Sequence, residues 1–454
     1  MLPEAFVSSM ISERGSADAL ALCRALDTEP VTSVRLNPAK SAGAVLPGDA
    51  VRIPWSSHGY ILPQRPQFTL DTAFHAGAYY VQEPSSQFTG YLLEASGFSG
   101  GRILDMCAAP GGKTTHYASL AGAGGLVVAN EIDRRRAQVL ADNVRKWGLG
   151  NTVVTCNEPS RAASLAGFFD VAAVDAPCSG EGMFRKDPAS RSEWSERNVS
   201  MCAARQEDIL RHAWRALRPG GLLLYSTCTF NRTENEETLR RFAAFAGGEL
   251  TEAEPVALPD AGIECGRTEA FRTYRFLPHR LCGEGFFAAV ARKSADAASE
   301  AAPSRPRRTI FVPADRTAAT ELDRYSAEPG AMRFFQVGEL YYGYRAETFD
   351  LVRTVCEQMS AIYSGTAFGR IFKGRLKPEH AAAMYAGLRR EQFAQAELPD
   401  DEALDYLRCG RTDPARFAEG LNLVTARGAA LGFAKRIGHR VNNMYPMNLR
   451  ILNK

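Results

Sequence analysis

Two cysteines come just after the ends of two predicted strands, where a thiol could act as a nucleophile. Cys178 lies in residues 175–182 (DAPCSGEG) and Cys228 in residues 225–229 (YSTCT). Both follow a glycine-rich loop, residues 105–114 (DMCAAPGGKT), which is typical of a nucleotide-type cofactor pocket. Because ligands of α/β proteins bind at the carboxyl ends of the strands, we expect both thiols to face this pocket.

Two thiols beside one cofactor pocket indicate covalent activation of a carbon acceptor, and C5 of cytosine is such a carbon. A thiolate that adds to C6 raises the electron density at C5, which then accepts a methyl group before a base removes the C5 proton. Asp175 is placed to donate a proton to N3 or N4, provided that the pocket raises its pKa. The spacing alone leaves open which thiol attacks. The other eight cysteines are expected to be small buried core residues.

The glycine-rich loop favours S-adenosylmethionine over a phosphorylated nucleotide. Its small residues let backbone N–H groups approach a ligand in front of a helix, and Glu131 follows the second predicted strand like an acid that binds a ribose diol. The glycine spacing matches neither the dinucleotide fingerprint nor the P-loop. Residues 175–178 (DAPC) stand where an amino methyltransferase would have a sequence like Asn-Pro-Pro-Tyr, which argues against a nitrogen acceptor.

Residues 96–293 must form the scaffold, because strand and helix signals alternate there as in a parallel α/β sheet. Strands are predicted at residues 102–106, 126–130, 151–155, 169–175 and 222–225, with a closing hairpin in residues 271–292. Helices are predicted at residues 113–120, along the apolar face 137–147, and through residues 206–214 up to the turn 219–221 (PGG). The pattern resembles the seven-stranded, Rossmann-like sheet of class I methyltransferases.

Composition describes an ordinary globular chain of several domains. Its 454 residues are more than one hydrophobic core usually supports, so two or three domains are expected. The contents of hydrophobic residues (45%) and charged residues (23%) are ordinary for a globular protein. The net charge of +3 is too small to indicate a polyanionic partner. The ten cysteines show neither zinc-ligand spacing nor a disulfide pattern, so no metal is expected and the cytosol is favoured. Signal-peptide and membrane-spanning patterns are absent from the sequence, which predicts a soluble, cytoplasmic protein. The sequence does not determine the oligomeric state, and a monomer is the default expectation.

The two cysteine motifs, the loop 105–114 and the sequence Glu234-Asn235-Glu236 together resemble the Sun-type RNA (cytosine-5)-methyltransferases. The resemblance implies that Cys228 is the nucleophile, that Cys178 assists release of the methylated RNA, and that Lys113 and Asp175 lie at the catalytic centre. The residues that it assigns to S-adenosylmethionine are Cys107, Ala108, Ala109, Pro110, Gly111, Gly112, Lys113, Glu131, Glu158 and Asp175.

The rest of the chain is predicted to hold RNA. Residues 1–95 form an N-terminal cap that also resembles the family, and residues 294–308, rich in Ala, Ser and Pro, read as a linker. Residues 309–454 are predicted to be an α+β unit for RNA binding. In it, residues 431–435 (LGFAK) and 443–446 (NMYP) resemble the PUA-like domain of the bacterial RsmF-like ribosomal RNA branch.

A basic tail supports this interpretation. Residues 420–454 contain no Asp or Glu, and Phe433 and Tyr445 are interleaved there as candidate stacking residues. Residues 370–377 (RIFKGRLK) extend the basic surface, whereas Arg185 and Lys186 either meet phosphate or belong to a solvated charged loop. The six cations of the tail are Arg427, Lys435, Arg436, Arg440, Arg450 and Lys454.

The resemblance therefore implies methylation of C5 of cytosine in ribosomal RNA, most specifically that of the small subunit. The target base must be unstacked and turned into the pocket, which favours a loop or a flexible helix. Two alternatives stay open from the sequence: a tRNA (cytosine-5)-methyltransferase, and a non-catalytic RNA-binding factor for ribosome assembly.

Overall fold

The computed structural model describes residues 1–298 and 312–452. The N-terminal segment contains two helices, a small antiparallel sheet of strand order β2-β3-β1-β4, and two further helices. Its elements are α1 (Glu4–Arg14), α2 (Ser16–Ala25), β1 (Ser33–Leu36), β2 (Val51–Arg52), β3 (Gly59–Ile61), α3 (Thr72–His75), β4 (Tyr79–Val81) and α4 (Phe88–Ala95).

The central region alternates strands and helices as the sequence predicts. Its strands are β5 (Arg102–Asp105), β6 (Leu126–Asn130), β7 (Thr152–Thr155), β8 (Phe169–Asp175), β9 (Leu217–Thr227), β10 (Leu250–Glu252), β11 (Glu264–Thr268), β12 (Phe271–Phe276) and β13 (Phe286–Lys293). Its helices are α5 (Gly112–Leu120), α6 (Arg134–Trp147), α7 (Ala189–Glu193), α8 (Glu196–Ala216) and α9 (Glu236–Ala246).

The C-terminal region contains two more sheets and four helices. Its strands are β14 (Val312–Pro313), β15 (Met332–Val337), β16 (Leu340–Arg345), β17 (Ala361–Ser364), β18 (Thr366–Phe372), β19 (Arg375–Pro378), β20 (Ala394–Glu397), β21 (Gly420–Ala426), β22 (Ala429–Ile437) and β23 (Arg440–Asn443). Its helices are α10 (Arg316–Asp323), α11 (Phe349–Gln358), α12 (His380–Met384) and α13 (Asp400–Leu407).

The predicted parallel sheet is present, but its predicted count of seven strands is not confirmed. Strands β7-β6-β5-β8-β9 are parallel neighbours, and β13 and β12 close the sheet as the predicted antiparallel hairpin. Three further strands, β10, β11 and β17, bring the total to ten. The strand β17 comes from the C-terminal region and pairs antiparallel with β7, so the central sheet is completed by residues far along the chain.

Apolar residues explain why the parallel strands lie in the middle of the molecule. The central part of β8, residues 171–174, is almost completely buried, as expected for a strand covered on both faces. Helices α6 and α8 cover the sheet with the apolar faces that the sequence predicts, and each has a side-chain N-cap. Asp133 accepts from the N–H of Arg136, and Ser195 accepts from the N–H of Asn198.

The N-terminal segment packs against the carboxyl ends of the strands. Phe6 and Met10 of α1 lie in one apolar cluster with Phe184, Phe230 and Leu277, which follow β8, β9 and β12. The N-terminal segment therefore packs against the loops that follow β8, β9 and β12 at the carboxyl edge of the sheet.

The division into residues 1–95, 96–293, 294–308 and 309–454 stays a prediction. Of the proposed linker, residues 299–308 lie outside the described residues. At its start, the N–H of Ser294 donates to the carbonyl of Glu249 at 2.7 Å. Within the two described ranges, none of the helices has the length and apolar character to span a membrane.

Candidate active site

The two sequence-predicted thiols meet at the carboxyl edge of the sheet. Strands β8 and β9 are parallel neighbours with Asp175 opposite Ser226, so the loops that follow them leave side by side. The Sγ atoms of Cys178 and Cys228 are 3.3 Å apart. The hydrogen bond with Cys228, together with burial, raises the pKa of the Cys178 thiol well above its usual value. Cys178 therefore stays protonated at neutral pH.

A glycine allows the two loops to come this close. The N–H of Gly182 donates to the carbonyl of Cys228 at 2.8 Å. A Cβ at this position would lie 2.4 Å from the carbonyl oxygen of Gly285 and 2.9 Å from that of Cys228. Any larger residue would push the loop after β8 away from the loop after β9, and the two thiols with it.

The buried carboxylate of Glu234 forms hydrogen bonds with residues of both cysteine loops. Glu234 is completely buried, and its oxygens accept from the N–H and hydroxyl of Ser179, the Nε2 of Gln206 at 2.8 Å and the Nδ2 of Asn231 at 2.7 Å. Burial raises the pKa of Glu234, and the hydrogen bonds from Ser179 and Asn231 oppose that effect. Ser179 is next to Cys178, so this network sets the position of that thiol.

Replacing Glu234 with glutamine is expected to lower the free energy of unfolding by about 1–3 kcal/mol, because an amide nitrogen would then face N–H and O–H donors. Urea denaturation followed by circular dichroism measures the change. Glu193→Gln, an exposed position on α7, serves as the matched control and should leave the midpoint unchanged. An unchanged midpoint for Glu234→Gln would mean that the native carboxyl already carries a proton.

A lysine and an aspartate form an ion pair near Cys228. The Nζ of Lys113 is 2.9 Å from Oδ2 of Asp175, whose Oδ1 accepts from the hydroxyl of Ser226 at 2.7 Å. Burial alone would lower the pKa of Lys113, but the charges of Asp175, Glu83 and Cys228 leave it above its usual value. The site therefore holds a charged ammonium donor beside the two thiols.

The predicted cofactor loop lines a cleft next to this pair. The cleft is lined by residues of β4 and its following turn, by the loop after β5, and by Lys113, Asp175 and Lys186. The loop is held by α6: Arg136 donates to the carbonyl of Ala109 at 3.1 Å, and Asn143 to that of Pro110 at 2.8 Å. Cys107 also lines the cleft, and burial raises the pKa of its thiol well above its usual range.

Two acids near this cleft each have a carboxylate oxygen that lacks a hydrogen-bond partner in the part of the chain that the structure describes. The Glu131 side chain is buried at the end of β6, and its Oε2 has only Arg136 at 3.5 Å. Asp105 at the end of β5 accepts from the hydroxyl of Thr114 at 2.7 Å through Oδ2, whereas its Oδ1 accepts nothing. Burial raises the pKa of Asp105 to about 7. Unsatisfied buried acceptors of this kind are suited to a ligand with N–H and O–H donors.

Glu158, the remaining acid predicted to bind the cofactor, is exposed in the loop that follows β7. The structure places it at the carboxyl edge of the sheet, one strand beyond Glu131. Within the described residues the Glu158 carboxylate has no hydrogen-bond or ion-pair partner, whereas Oε1 of Glu131 accepts from the N–H of Asp133 at 3.1 Å.

Several sequence predictions about RNA contacts are wrong because the side chains are already engaged. Phe433 is 1% exposed and packs on Phe393, and Tyr445 is 6% exposed and packs on Tyr406, so neither ring is available to stack on a base. The side chain of Arg185 is buried in an ion pair with Glu284 at 2.9 Å. Of the two cations in this loop, only Lys186 lines the cleft.

Some of the six cations of the basic tail lie beside carboxylates, so they are less available to phosphates than the sequence suggests. Arg427 pairs with Asp400 at 2.6 Å, and Arg436 lies 3.9 Å from Glu419. Lys454 lies outside the described residues. The prediction that the remaining eight cysteines are buried is wrong as well, since Cys265 and Cys282 are exposed.

Sequence reasoning missed two buried polar residues that shape the site. Glu181 accepts from the N–H groups of Phe230 and Asn231 at 2.7 and 2.9 Å and so links the two cysteine loops a second time. Arg35 of β1 is fully buried and donates to the carbonyl of Gly112 at 3.0 Å, which ties the cap to the cofactor loop. Glu181 belongs to the DAPCSGEG motif, and Arg35 belongs to residues 33–38 (SVRLNP), which also resemble the family, so both signals were present in the sequence.

Comparison with known proteins agrees with this geometry. Residues 96–292 match the family described as 16S rRNA methyltransferase RsmB/F, residues 2–84 the N-terminal domain of 16S rRNA methyltransferase RsmF, and residues 393–451 the methyltransferase RsmF PUA domain. The ribosomal RNA small subunit methyltransferase F of Pectobacterium atrosepticum is 33% identical over 424 residues, which cover 87% of this chain and 83% of that protein. The chain belongs to the RsmF family.

A second relative is the ribosomal RNA small subunit methyltransferase F of Erwinia tasmaniensis. It is 32% identical over 410 residues, and the alignment covers 87% of this chain and 84% of that protein. Among solved structures, NSun6 from Pyrococcus horikoshii with SFG has a TM-score of 0.53 at 20% identity and covers 65% of this chain and 99% of its own, which supports the fold. This RsmF-family chain is thus an S-adenosylmethionine-dependent methyltransferase with a Rossmann-like catalytic fold and a C-terminal PUA domain.

Proposed function

We propose that this protein methylates C5 of a cytosine in small-subunit ribosomal RNA through a covalent bond between Cys228 and C6 of the base. The observation that carries the proposal is the pair of thiols, 3.3 Å apart at the carboxyl ends of β8 and β9 beside the Lys113–Asp175 pair. A methyltransferase that acts on nitrogen or oxygen has no chemical need for two thiols at this place.

The surroundings of the two thiols support different roles for them. The raised pKa of Cys178 keeps it a neutral thiol, which can give a proton but is a poor nucleophile. We assign the attack on C6 to Cys228, as the resemblance to the Sun-type enzymes implies, and the electron pair of the C5–C6 double bond then becomes available at C5. Cys178, in van der Waals contact with the attacking sulfur, is placed to assist when the bond between Cys228 and C6 breaks and the RNA leaves.

The Lys113–Asp175 pair supports proton transfer at the base. Addition of sulfur to C6 places negative charge on the ring nitrogen and carbonyl side of cytosine, which a hydrogen-bond donor stabilises. Lys113 keeps its ammonium charged, and Asp175 holds that ammonium within 2.9 Å while Ser226 orients the carboxylate. After C5 has been methylated its proton must be removed before the Cys228–C6 bond can break, and a carboxylate or a water held by Asp175 can accept it.

The residues around the cleft fit S-adenosylmethionine, which supplies an electrophilic methyl group when bound. The buried Oε2 of Glu131 can accept from a ribose hydroxyl, and the buried Oδ1 of Asp105 can accept from an ammonium group. Gly111 has φ of +112°, and a Cβ there would lie 3.1 Å from Leu140, so glycine lets the loop turn and pack closely on α6. We assign the loop from Cys107 to Lys113 and the exposed Glu158 to the same ligand.

Replacing Glu131 with glutamine is expected to weaken binding of S-adenosylmethionine about 10- to 100-fold, because an NH2 donor replaces one of the two acceptor oxygens and the other loses its charge. Isothermal titration calorimetry of the purified protein measures the dissociation constant. Glu158→Gln is the comparison variant and should have an effect of less than about tenfold, since its carboxylate is exposed to water. Equal affinities for Glu131→Gln and the unchanged protein would contradict the assignment of Glu131 to the ribose.

The substrate proposal comes from the RsmF relatives, whose names specify small-subunit ribosomal RNA, and from the PUA domain. The test offers the protein and radiolabelled S-adenosylmethionine to isolated small subunits, to deproteinised ribosomal RNA and to tRNA, followed by nucleoside analysis. We expect 5-methylcytidine in small-subunit RNA. Label in tRNA alone would favour the tRNA methyltransferase, and binding without label in any RNA would favour the assembly factor.

A further inference from the structure

The hairpin of β18 and β19 lies between residues 292 and 393, which the matched family regions leave unassigned. Its two-residue turn consists of Lys373, with φ of 50°, and Gly374, with φ of 72°. Two successive residues with positive φ form the tight turn that suits the twist of paired strands. The hairpin is therefore a well-defined element with a fixed register.

That register places the polar residues of the hairpin on one face. Arg370 pairs with Lys377, and Phe372 pairs with Arg375. Since alternate residues of a strand point to the same side, these residues share one face. The opposite face carries Ile371 and Leu376, which pack into an apolar cluster with Leu322, Phe334 and Phe368. We call the solvent-facing set the outer hairpin face; it consists of Arg370, Phe372, Arg375 and Lys377.

The outer hairpin face combines an exposed aromatic ring with unpaired positive charge. Phe372 is 54% exposed, and the Nζ of Lys377 lies 4.0 Å from its ring centroid. Arg370 is paired with Glu339 at 2.8 Å. Throughout residues 1–298 and 312–452, no carboxylate forms an ion pair with Arg375, Lys377 or the turn residue Lys373. A ring that stacks on bases beside cations that meet phosphates is the usual arrangement for single-stranded nucleic acid.

The hairpin is also held firmly on the catalytic sheet. It follows β17, which pairs with β7, after the single residue Gly365. Gly365 has φ of +90°, and a Cβ there would lie 2.4 Å from the ring of Tyr344, so the sharp turn between β17 and β18 requires glycine. After β19 the chain enters α12, which packs on α6. The hairpin therefore has a fixed position on the catalytic sheet, and it leaves that sheet towards the amino end of β7, since Ala361 pairs with Thr155 and Ser364 with Val153.

We propose that the outer hairpin face binds a single-stranded segment of the substrate RNA. Phe372 stacks on a base, and Lys373, Arg375 and Lys377 neutralise phosphates. The inference rests on the proposed function in so far as the substrate is RNA, and it adds a contact outside both the catalytic cleft and the PUA domain.

The test measures binding of a fluorescent oligouridylate to the full-length protein, without S-adenosylmethionine, over a range of salt concentrations. Phe372→Ala is expected to raise the dissociation constant about tenfold, whereas Phe372→Trp should preserve binding. The triple variant Lys373→Gln, Arg375→Gln, Lys377→Gln should reduce the slope of log K against log salt by about 2. The control is a triple variant at three other exposed arginines, Arg215→Gln, Arg240→Gln, Arg353→Gln. It should leave the dissociation constant and the salt slope unchanged.

Thermal denaturation of each variant separates loss of binding from loss of folding. Unchanged affinity and salt slope in folded hairpin variants would overturn the proposal. So would unchanged oligouridylate binding with reduced methylation of small subunits, because the partner of the hairpin would then be a protein. Since methyl transfer plays no part in the binding measurement, a failure of the cytosine-5 proposal leaves its result intact.

Discussion

Replacing Cys178 with alanine is expected to leave the protein covalently attached to its RNA. Without the neutral thiol beside Cys228, the bond between Cys228 and C6 forms but the RNA is not released. We expect a band of reduced mobility on denaturing gels when the variant is mixed with S-adenosylmethionine and total ribosomal RNA. Treatment with ribonuclease should remove the shift, and sequencing of the attached RNA would identify the target cytosine.

Two further variants make the result for Cys178→Ala specific. The double variant Cys178→Ala, Cys228→Ala should lose the shifted band, because no nucleophile is left. Cys265→Ala, which changes an exposed thiol on β11 at the end of the central sheet, should behave like the unchanged protein. If Cys178→Ala gives no adduct while the unchanged protein methylates the same RNA, the roles of the two thiols have been assigned wrongly.

Replacing Cys228 with alanine is expected to reduce methyl transfer at least about 10⁴-fold, since removal of a covalent nucleophile eliminates the step on which the others depend. Incorporation of labelled methyl groups into small ribosomal subunits measures the loss. Binding of S-adenosylmethionine should stay within about twofold of the unchanged protein, because the loop after β5 and Glu131 are intact. A Cys228→Ala variant that still methylates at a comparable rate would exclude the covalent mechanism.

The arrangement of the catalytic site was largely predictable because its signals are local. Cys178 and Cys228 each follow an apolar run that reads as a buried strand, and the carboxyl ends of parallel strands must share one edge. The same argument places Asp175 and the loop after β5. It says nothing about Glu234, whose role depends on donors from Ser179, Gln206 and Asn231 that converge only after folding.

The predictions that failed concern residues whose surroundings come from distant parts of the chain. Phe433 looks like a surface aromatic among cations, but β22 pairs with β21 and buries the ring against Phe393. The count of seven strands is not confirmed for a similar reason, because no pattern in residues 361–364 indicates that they will pair with β7. Pairing between distant strands is decided by tertiary packing, which a local pattern does not contain.

The strand β17 means that the catalytic and RNA-binding halves are not interchangeable modules. A fragment that ended near residue 298 would leave the N–H and C=O groups of β7 uncovered along a flat sheet edge, next to the loop that carries Glu158. Exposed edges of this kind recruit other chains and promote aggregation. A C-terminal region exchanged during evolution would therefore have to supply a strand that pairs with β7. For the same reason, isolated catalytic fragments are poorly suited to expression or screening.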